Sequence, residues 1–137
     1  MLIIRPADGR DRAAIVRIMD EADLRYKNET FDQFYLAEAD GVPAGVVRLD
    51  EHAGYIFLTT LGVASVYLRK GIGRALMEFA IGRSLKDIYI YTIIPEFFAK
   101  FGFVPAPAPA DLPQKNIFDC DECFPGKCVT MVRKHAP

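Results

Sequence analysis

The sequence predicts an α+β fold in which short strands alternate with amphipathic helices in the order β-α-β-β-β-α-β-α-β. Three observations lead there. Runs of β-branched and aromatic residues are bounded by turn pairs at Asp40-Gly41 and Ala53-Gly54. Two longer segments repeat apolar residues at helical spacing. A chain of 137 residues, 51% apolar and 26% charged, is large enough to bury one core, so residues 1–137 are expected to form a single domain.

Each element follows from its own residues. Residues 2–5 are a short apolar run suited to a strand, and Ala7-Asp8-Gly9 gives a turn before Asp11, the expected helix N-cap. Ile15, Ile18, Met19 and Ala22 then make one face of a first helix, with Arg12, Arg17, Asp20 and Glu21 on the others. Residues 34–39 and 42–49 form a hairpin, because Asp-Gly supplies the positive φ angles of a tight turn. A further strand covers residues 55–63. Ile72, Ala75, Leu76, Phe79 and Ala80 line one face of a central helix over 71–85. Residues 88–92 make a short apolar strand, Pro95 opens a helix that Gly102 ends, and residues 129–132 offer a last strand. Between them, Pro105, Pro107, Pro109 and Pro113 mark an extended connector, so residues 104–137 read as a proline-rich link and a cysteine-containing tail.

Composition excludes several function classes. A formal charge of -1 provides no general attraction to nucleic acid or to an anionic membrane. The longest uncharged run, residues 52–68, is too short and too polar for a membrane span, and Arg5, Pro6 and Asp8 interrupt any leader-like start. Cys120, Cys123 and Cys128 are odd in number and crowded, which argues against a disulfide framework. The expectation is a cytoplasmic protein.

The chemistry-bearing segment is Arg69-Lys70-Gly71-Ile72-Gly73-Arg74, a basic, glycine-containing turn between a strand and a helix. Such a turn suits an anion: the first helical N–H groups and the positive end of the helix dipole attract phosphate, and glycine removes the Cβ that would block its approach. A dinucleotide fingerprint would need a third glycine where Leu76 stands, and a P-loop would need a Gly-Lys-Ser/Thr ending that is absent.

Leu61-Gly62-Val63, Tyr67 and then Arg69-Lys70-Gly71-Ile72-Gly73-Arg74-Ala75-Leu76 resemble the acetyl-CoA motif of the GNAT superfamily of N-acetyltransferases. Phe97-Phe98-Ala99-Lys100-Phe101-Gly102-Phe103 resembles the later helix-to-strand signature of the same family, in the family's order. The resemblance spans nearly the whole chain. It implies a mixed central sheet with helices on both faces and acetyl-CoA as cosubstrate. It further implies that Leu61, Gly62 and Val63 hold the acetyl and pantetheine part while Arg69, Lys70, Gly71, Ile72, Gly73, Arg74 and Ala75 wrap the pyrophosphate. Two positions depart from the family pattern. Leu68 stands where an Arg or Gln is usual, and Phe98 where many members carry a tyrosine that protonates departing CoA.

By the same resemblance, the Val63 N–H is the expected oxyanion donor. Tyr91 and Thr92 are the nearest hydroxyls for an acid or relay, and Glu51, His52 and Glu29 are candidate bases, with a water chain as an equal alternative. The C-terminal half looks like stand-alone acetyltransferase domains related to the N-acetylglutamate synthases. The implied acceptor is therefore a primary amine of a small molecule, an amino acid such as glutamate, whose carboxylate Arg25 or Arg48 would bind. Peptide acceptors and a non-catalytic acyl-CoA-binding module are the alternatives, and the family's habit permits a homodimer. Cys120-x2-Cys123 has zinc spacing, but a complete tetrahedral set would need His135 or a carboxylate. Three reduced thiols and no metal is the expected state.

Overall fold

Alternating apolar strands build one mixed seven-stranded sheet, ordered β1-β2-β3-β4-β5-β7-β6, in a computed structural model that describes residues 1–22, 33–109 and 129–135. Its strands are β1 (Leu2–Pro6), β2 (Phe34–Ala39), β3 (Val42–Glu51), β4 (Tyr55–Val63), β5 (Asp87–Thr92), β6 (Val104–Pro105) and β7 (Val129–Arg133). The helices are α1 (Arg12–Glu21), α2 (Ile72–Arg83) and α3 (Pro95–Ala99). Every pairing is antiparallel except β4 with β5. The α+β order read from the sequence is reproduced, with β6 added: the first two residues of the proline-rich link pair with β7 at Val104↔Val132 and Pro105↔Met131. Pro105 is tolerated there because β6 is an edge strand.

Side-chain alternation divides the core between the two faces of the sheet. On one face Ile15, Ile18 and Met19 of α1 pack with Phe34, Leu36 and Val46. Burying each of those α1 side chains stabilises the fold by about 1.5–3 kcal/mol. On the other face Ile72, Leu76, Met77 and Ala80 of α2, with Phe98 of α3, pack with Val47, Leu49, Ile56, Leu58, Ile88 and Ile90. The α2 contact is unusually close at Gly45. A Cβ there would lie 2.8 Å from Ile72 Cγ2, 3.0 Å from Leu76 Cδ1 and 3.0 Å from the carbonyl oxygen of Gly62.

Turn chemistry sets the connections. Asp40 and Gly41 adopt φ of 50° and 83°, as the predicted tight hairpin requires. Gly102, at φ 89°, lets the chain leave α3. One capping expectation changes. Asp11 holds the N-cap position of α1 but makes no side-chain capping bond there; the capping side chain is that of Asp8, one 3-10 turn earlier, which accepts from the backbone N–H of Arg10. The Asp11 carboxylate instead takes two hydrogen bonds from the Arg5 guanidinium, at 2.8 and 2.9 Å, and one from the Asp8 N–H. A buried carboxylate is better satisfied by a forked cation than by helix amides alone.

Candidate active site

The parallel strands β4 and β5 pair only at Tyr55↔Asp87, Ile56↔Ile88 and Phe57↔Tyr89. Beyond Phe57 they separate: β4 continues beside β3 to Val63, and β5 continues beside β7 to Thr92. The result is a fork in the middle of the sheet. Its apex carries an irregularity, since β3 pairs Arg48 with Thr60 but Leu49 with Leu58, so that Thr59 is an extra residue on β4. The bulge shifts the phase of alternation and keeps Leu61 and Val63, like Ile56 and Leu58, against the α2 core.

The open edge follows from ladder geometry. The Ala64 N–H donates to the Ala44 carbonyl at 2.8 Å, so Ala64 and, by alternation, Gly62 direct their backbone groups at β3. Leu61 and Val63 therefore direct theirs to the opposite edge, into the fork, where β5 no longer pairs. Two extended residues apart, these amides recur about every 7 Å along the edge.

Directly after β4, a 3-10 turn (Ser65–Tyr67) leads into the basic loop and α2. Arg69 takes φ 64° and Gly71 takes φ 83°, together bending the chain so that α2 starts at Ile72. The first bond of the helix runs from the Ala75 N–H to the Gly71 carbonyl, which leaves the amides of Ile72, Gly73 and Arg74 without an intrahelical acceptor. Arg69, Lys70 and Arg74 are exposed around that terminus, Arg74 lying 3.7 Å from Glu78. A Cβ on Gly71 would meet nothing within 4 Å, and one on Gly73 would only touch Phe97 and Val63 at 3.7 and 3.8 Å. Open space, amide donors and cations at a helix N-terminus together fit a polyanionic group such as a pyrophosphate.

The other candidates are scattered. Tyr91 lies on β5 just past the last β4 partner and stands edge-on to Phe57 at 5.2 Å; burial raises its phenol pKa above the ordinary value. The Thr92 hydroxyl accepts the Ile94 N–H at 2.9 Å and so shapes the β5–α3 turn. Phe98 is buried in the core, edge-on to Phe97 and Phe103 at 5.0 and 5.8 Å, and offers no proton donor. Arg48 is buried, its Nε donating to Asp50 at 2.7 Å, and its guanidinium lies 5.7 Å from the Phe34 ring centroid. Glu51 lies at the paired end of β4, exposed, accepting from Lys86 Nζ at 3.0 Å; His52 beside it stacks on Tyr55 at 4.5 Å. Arg25, Glu29, Cys120, Cys123 and Cys128 lie outside the described residues. Among the described residues no group of three or more His, Cys, Asp or Glu gathers as a metal site, and no helix is long and apolar enough to cross a membrane.

Two contributors escape a reading by motif. Thr59 makes the bulge, and its only sequence signal is that apolar alternation at Ile56 and Leu58 resumes out of phase at Leu61 and Val63. Glu21, the last residue of α1, accepts the Ser65 N–H at 2.8 Å and thus ties α1 to the turn that leads into the basic loop. Nothing local in the sequence announces that bond.

The fork and the amide cradle together suit an extended ligand with an anionic end, and comparison with known proteins gives the family. Residues 30–105 match the acetyltransferase (GNAT) domain family. The chain belongs to that family, whose members are acyltransferases using acetyl-CoA. Its fold is similar to that of N-acetylglutamate synthase from Neisseria gonorrhoeae, solved with coenzyme A and N-acetyl-glutamate, with TM-score 0.74 and 22% identity over 100% of this chain and 36% of that one. The chain thus spans little more than a third of the synthase. It is also similar to the PaiA N-acetyltransferase from Thermoplasma acidophilum, solved with coenzyme A, with TM-score 0.70 and 15% identity over 98% of this chain and 99% of that one. A third likeness is to the ribosomal-protein-S18-alanine N-acetyltransferase from Escherichia coli, with TM-score 0.70 and 16% identity over 100% and 96%.

Proposed function

We propose that this protein transfers the acetyl group of acetyl-CoA to the primary amine of a small molecule, an amino acid such as glutamate. The observation that carries the reading is the fork between β4 and β5, whose open edge at Leu61 and Val63 runs straight into the amide cradle at Gly71 and Gly73. An extended cosubstrate with an anionic end needs those two features in series. Gly62, between the two fork-facing residues, turns its own amide to β3 and keeps the edge in place.

In this reading the amides of Leu61 and Val63 hold the acetyl-pantetheine arm by strand-like hydrogen bonds. The Val63 N–H, or its neighbour on the same edge, donates to the carbonyl oxygen as negative charge develops there, a contribution of about 3 kcal/mol in comparable sites. Ile72, Gly73, Arg74 and Ala75 present the start of α2 to the pyrophosphate, and Arg69 and Lys70 add charge.

The leaving thiolate must be protonated. Tyr91 is assigned that role by its place on β5 beside the fork; its phenol is protonated at neutral pH, and burial, which raises its pKa, makes it a weaker acid than an exposed tyrosine. An alkyl thiol of pKa about 8.5 leaves tolerably without an ideal acid, so Phe98 is compatible with turnover. Glu51 ends β3 opposite Ile56, about 15 Å along the sheet from Leu61, and is paired with Lys86, so direct proton removal by it is not proposed. Water takes the ammonium proton before attack. For the substrate carboxylate the sequence offers Arg25, which lies outside the described residues, and Arg48, which is buried and already charge-paired to Asp50.

An amino-acid acceptor is suggested by the likeness to the synthase solved with N-acetyl-glutamate, and the likeness to the ribosomal-protein-S18-alanine N-acetyltransferase makes a peptide the alternative. The test is incubation of the purified protein with acetyl-CoA and a panel of amino acids, polyamines and peptides, with products identified by mass spectrometry. An acetylated amino acid is the expected outcome. Acetylated peptide alone would replace the acceptor class, and acetyl-CoA binding with no product would sink the enzymatic reading in favour of a binding module.

A further inference from the structure

We propose that the Thr59 hydroxyl is a second donor to the thioester carbonyl of acetyl-CoA, acting beside the backbone amides of the open edge; this rests on reading the fork as the acetyl-CoA site. The starting point is an orphan. Thr59 Oγ1 is buried and has no hydrogen-bond partner among the described residues. Buried hydroxyls are nearly always satisfied, and one that is not calls for an explanation in what the site binds.

Position supplies the explanation. Thr59 is the bulged residue of β4, the extra one between Leu58, opposite Leu49, and Thr60, opposite Arg48. It lies between the last residue paired with β5, Phe57, and the first fork-facing amide, Leu61. Bulges unpair a residue from the ladder and re-aim its side chain, and they concentrate beside active sites. The contrast with Thr92 across the fork is informative: that hydroxyl is committed to the Ile94 N–H and shapes a turn. Local structure does not need the Thr59 hydroxyl in that way. Valine would fill the same volume with equal β-propensity and no polar atom to desolvate.

Chemistry selects the role. A threonine hydroxyl does not ionise near neutral pH, so it is neither the base nor a charge. It can donate one hydrogen bond, and in a site shielded from water a preorganised donor aimed at a developing oxyanion is among the strongest catalytic devices. Thr59 keeps its proton throughout and forms no covalent bond. As the amine nitrogen bonds to the carbonyl carbon, electron density moves to the oxygen that Thr59 and an open-edge amide hold. Density then returns as the C–S bond breaks; the thiolate takes the Tyr91 proton, and the proton that the new amide nitrogen sheds passes through water to restore the Tyr91 phenol.

The test compares wild type with Thr59→Val and Thr59→Ser. It measures thermal midpoint without ligand, calorimetric affinity for acetyl-CoA and for CoA, and the infrared carbonyl band of bound carbon-13-labelled acetyl-CoA. Thr59→Val is expected to keep or raise the midpoint, because it removes an unsatisfied hydroxyl. It should leave CoA affinity unchanged and weaken acetyl-CoA binding about 3- to 10-fold. The low-frequency displacement of the carbonyl band should shrink, and Thr59→Ser should restore most of it together with the acetyl-CoA affinity. A lowered midpoint with unchanged acetyl-CoA affinity and carbonyl band would overturn the proposal by showing that the hydroxyl serves the fold. If wild type binds neither acetyl-CoA nor CoA, the fork is not the cosubstrate site and the proposal falls with it, a result distinct from binding that ignores Thr59.

Discussion

The two halves of β4 do opposite things with the same backbone. At Ile56 and Phe57 the strand is paired on both edges, to β3 and to β5. That end is tied further by Lys86 Nζ, which donates to Glu51 at 3.0 Å and to the His52 carbonyl at 2.8 Å, and by Asp87, which accepts from the His135 N–H at 2.7 Å. From Leu61 to Val63 only the β3 edge is paired, and the chain then enters a loop with left-handed residues and exposed cations. A backbone group that finds a partner within the fold contributes stability; one left pointing into a cleft is available to a ligand. The bulge at Thr59 is the junction, and it converts a structural strand into a binding edge within a few residues.

The comparison breaks most visibly at the paired end. Phe57 is 1% exposed and stands against Tyr91. Phe57→Ala should lower stability by about 3–5 kcal/mol, measured by urea denaturation. Acetyl-CoA affinity, titrated where the variant is folded, should stay within a few-fold of wild type. At the open end the pattern reverses. Gly73→Asp places a carboxylate in the first turn of α2, where the helix dipole favours it and the protein leaves room. Stability should hold or rise slightly, while acetyl-CoA affinity falls about 100-fold through repulsion of the pyrophosphate. Unchanged affinity in Gly73→Asp would remove the cradle from the cosubstrate site.

The contrast also explains what the sequence makes legible. The helices and the hairpin can be read because burial imposes a period: Ile15, Ile18 and Met19 on α1 and Leu76, Met77 and Ala80 on α2 are buried as a face must be. The cradle can be read because glycine and arginine at a strand-to-helix turn are a local pattern. The fork is not local. It depends on β4 and β5 parting after Phe57 while the other edge of β5 stays paired with β7 from the far end of the chain, and no window of sequence contains all three strands. Asp11 stands at the N-cap position of α1 as its sequence suggests, but its side chain is turned from the helix amides to Arg5, a partner that β1 brings in from outside the local window. Gly45 likewise reads as an ordinary strand glycine until α2 is laid across it.

An ion pair remote from both halves of β4 sharpens the comparison through pH. Hydrogen bonds from Arg5 hold the Asp11 carboxyl down from 3.8 to about 2, against the opposing cost of burial. A carboxyl depressed in the folded state contributes stability that is complete above its unfolded pKa and is lost as pH falls through the folded one. The contribution should therefore be present above about pH 4 and disappear toward pH 2, amounting to about 1–2 kcal/mol with the partly exposed Arg5 screened by solvent. Asp11→Asn should flatten that part of the acid-denaturation profile. Acetyl-CoA binding at pH 7 should be untouched, because Asp11 reaches neither end of β4.

The smallest expected effect concerns the bond that links α1 to the open end. Glu21 accepts the Ser65 N–H at 2.8 Å, at the start of the 3-10 turn that carries the chain from Val63 toward Arg69. An exposed bond of this kind is worth about 1 kcal/mol at most, so it does not decide whether the fold forms. It does restrict the turn from which the cradle hangs, and restricting a loop in its bound shape lowers the entropy that binding must spend. Glu21→Ala should therefore weaken acetyl-CoA binding about 3- to 5-fold with little change in unfolding midpoint. Glu21→Gln, which keeps a carbonyl acceptor, should lie near wild type, and the difference between the two variants should persist at high salt because it comes from the hydrogen bond. If Glu21→Gln binds as weakly as Glu21→Ala, and salt abolishes the difference from wild type, the carboxylate acts through charge alone and the turn is held without it.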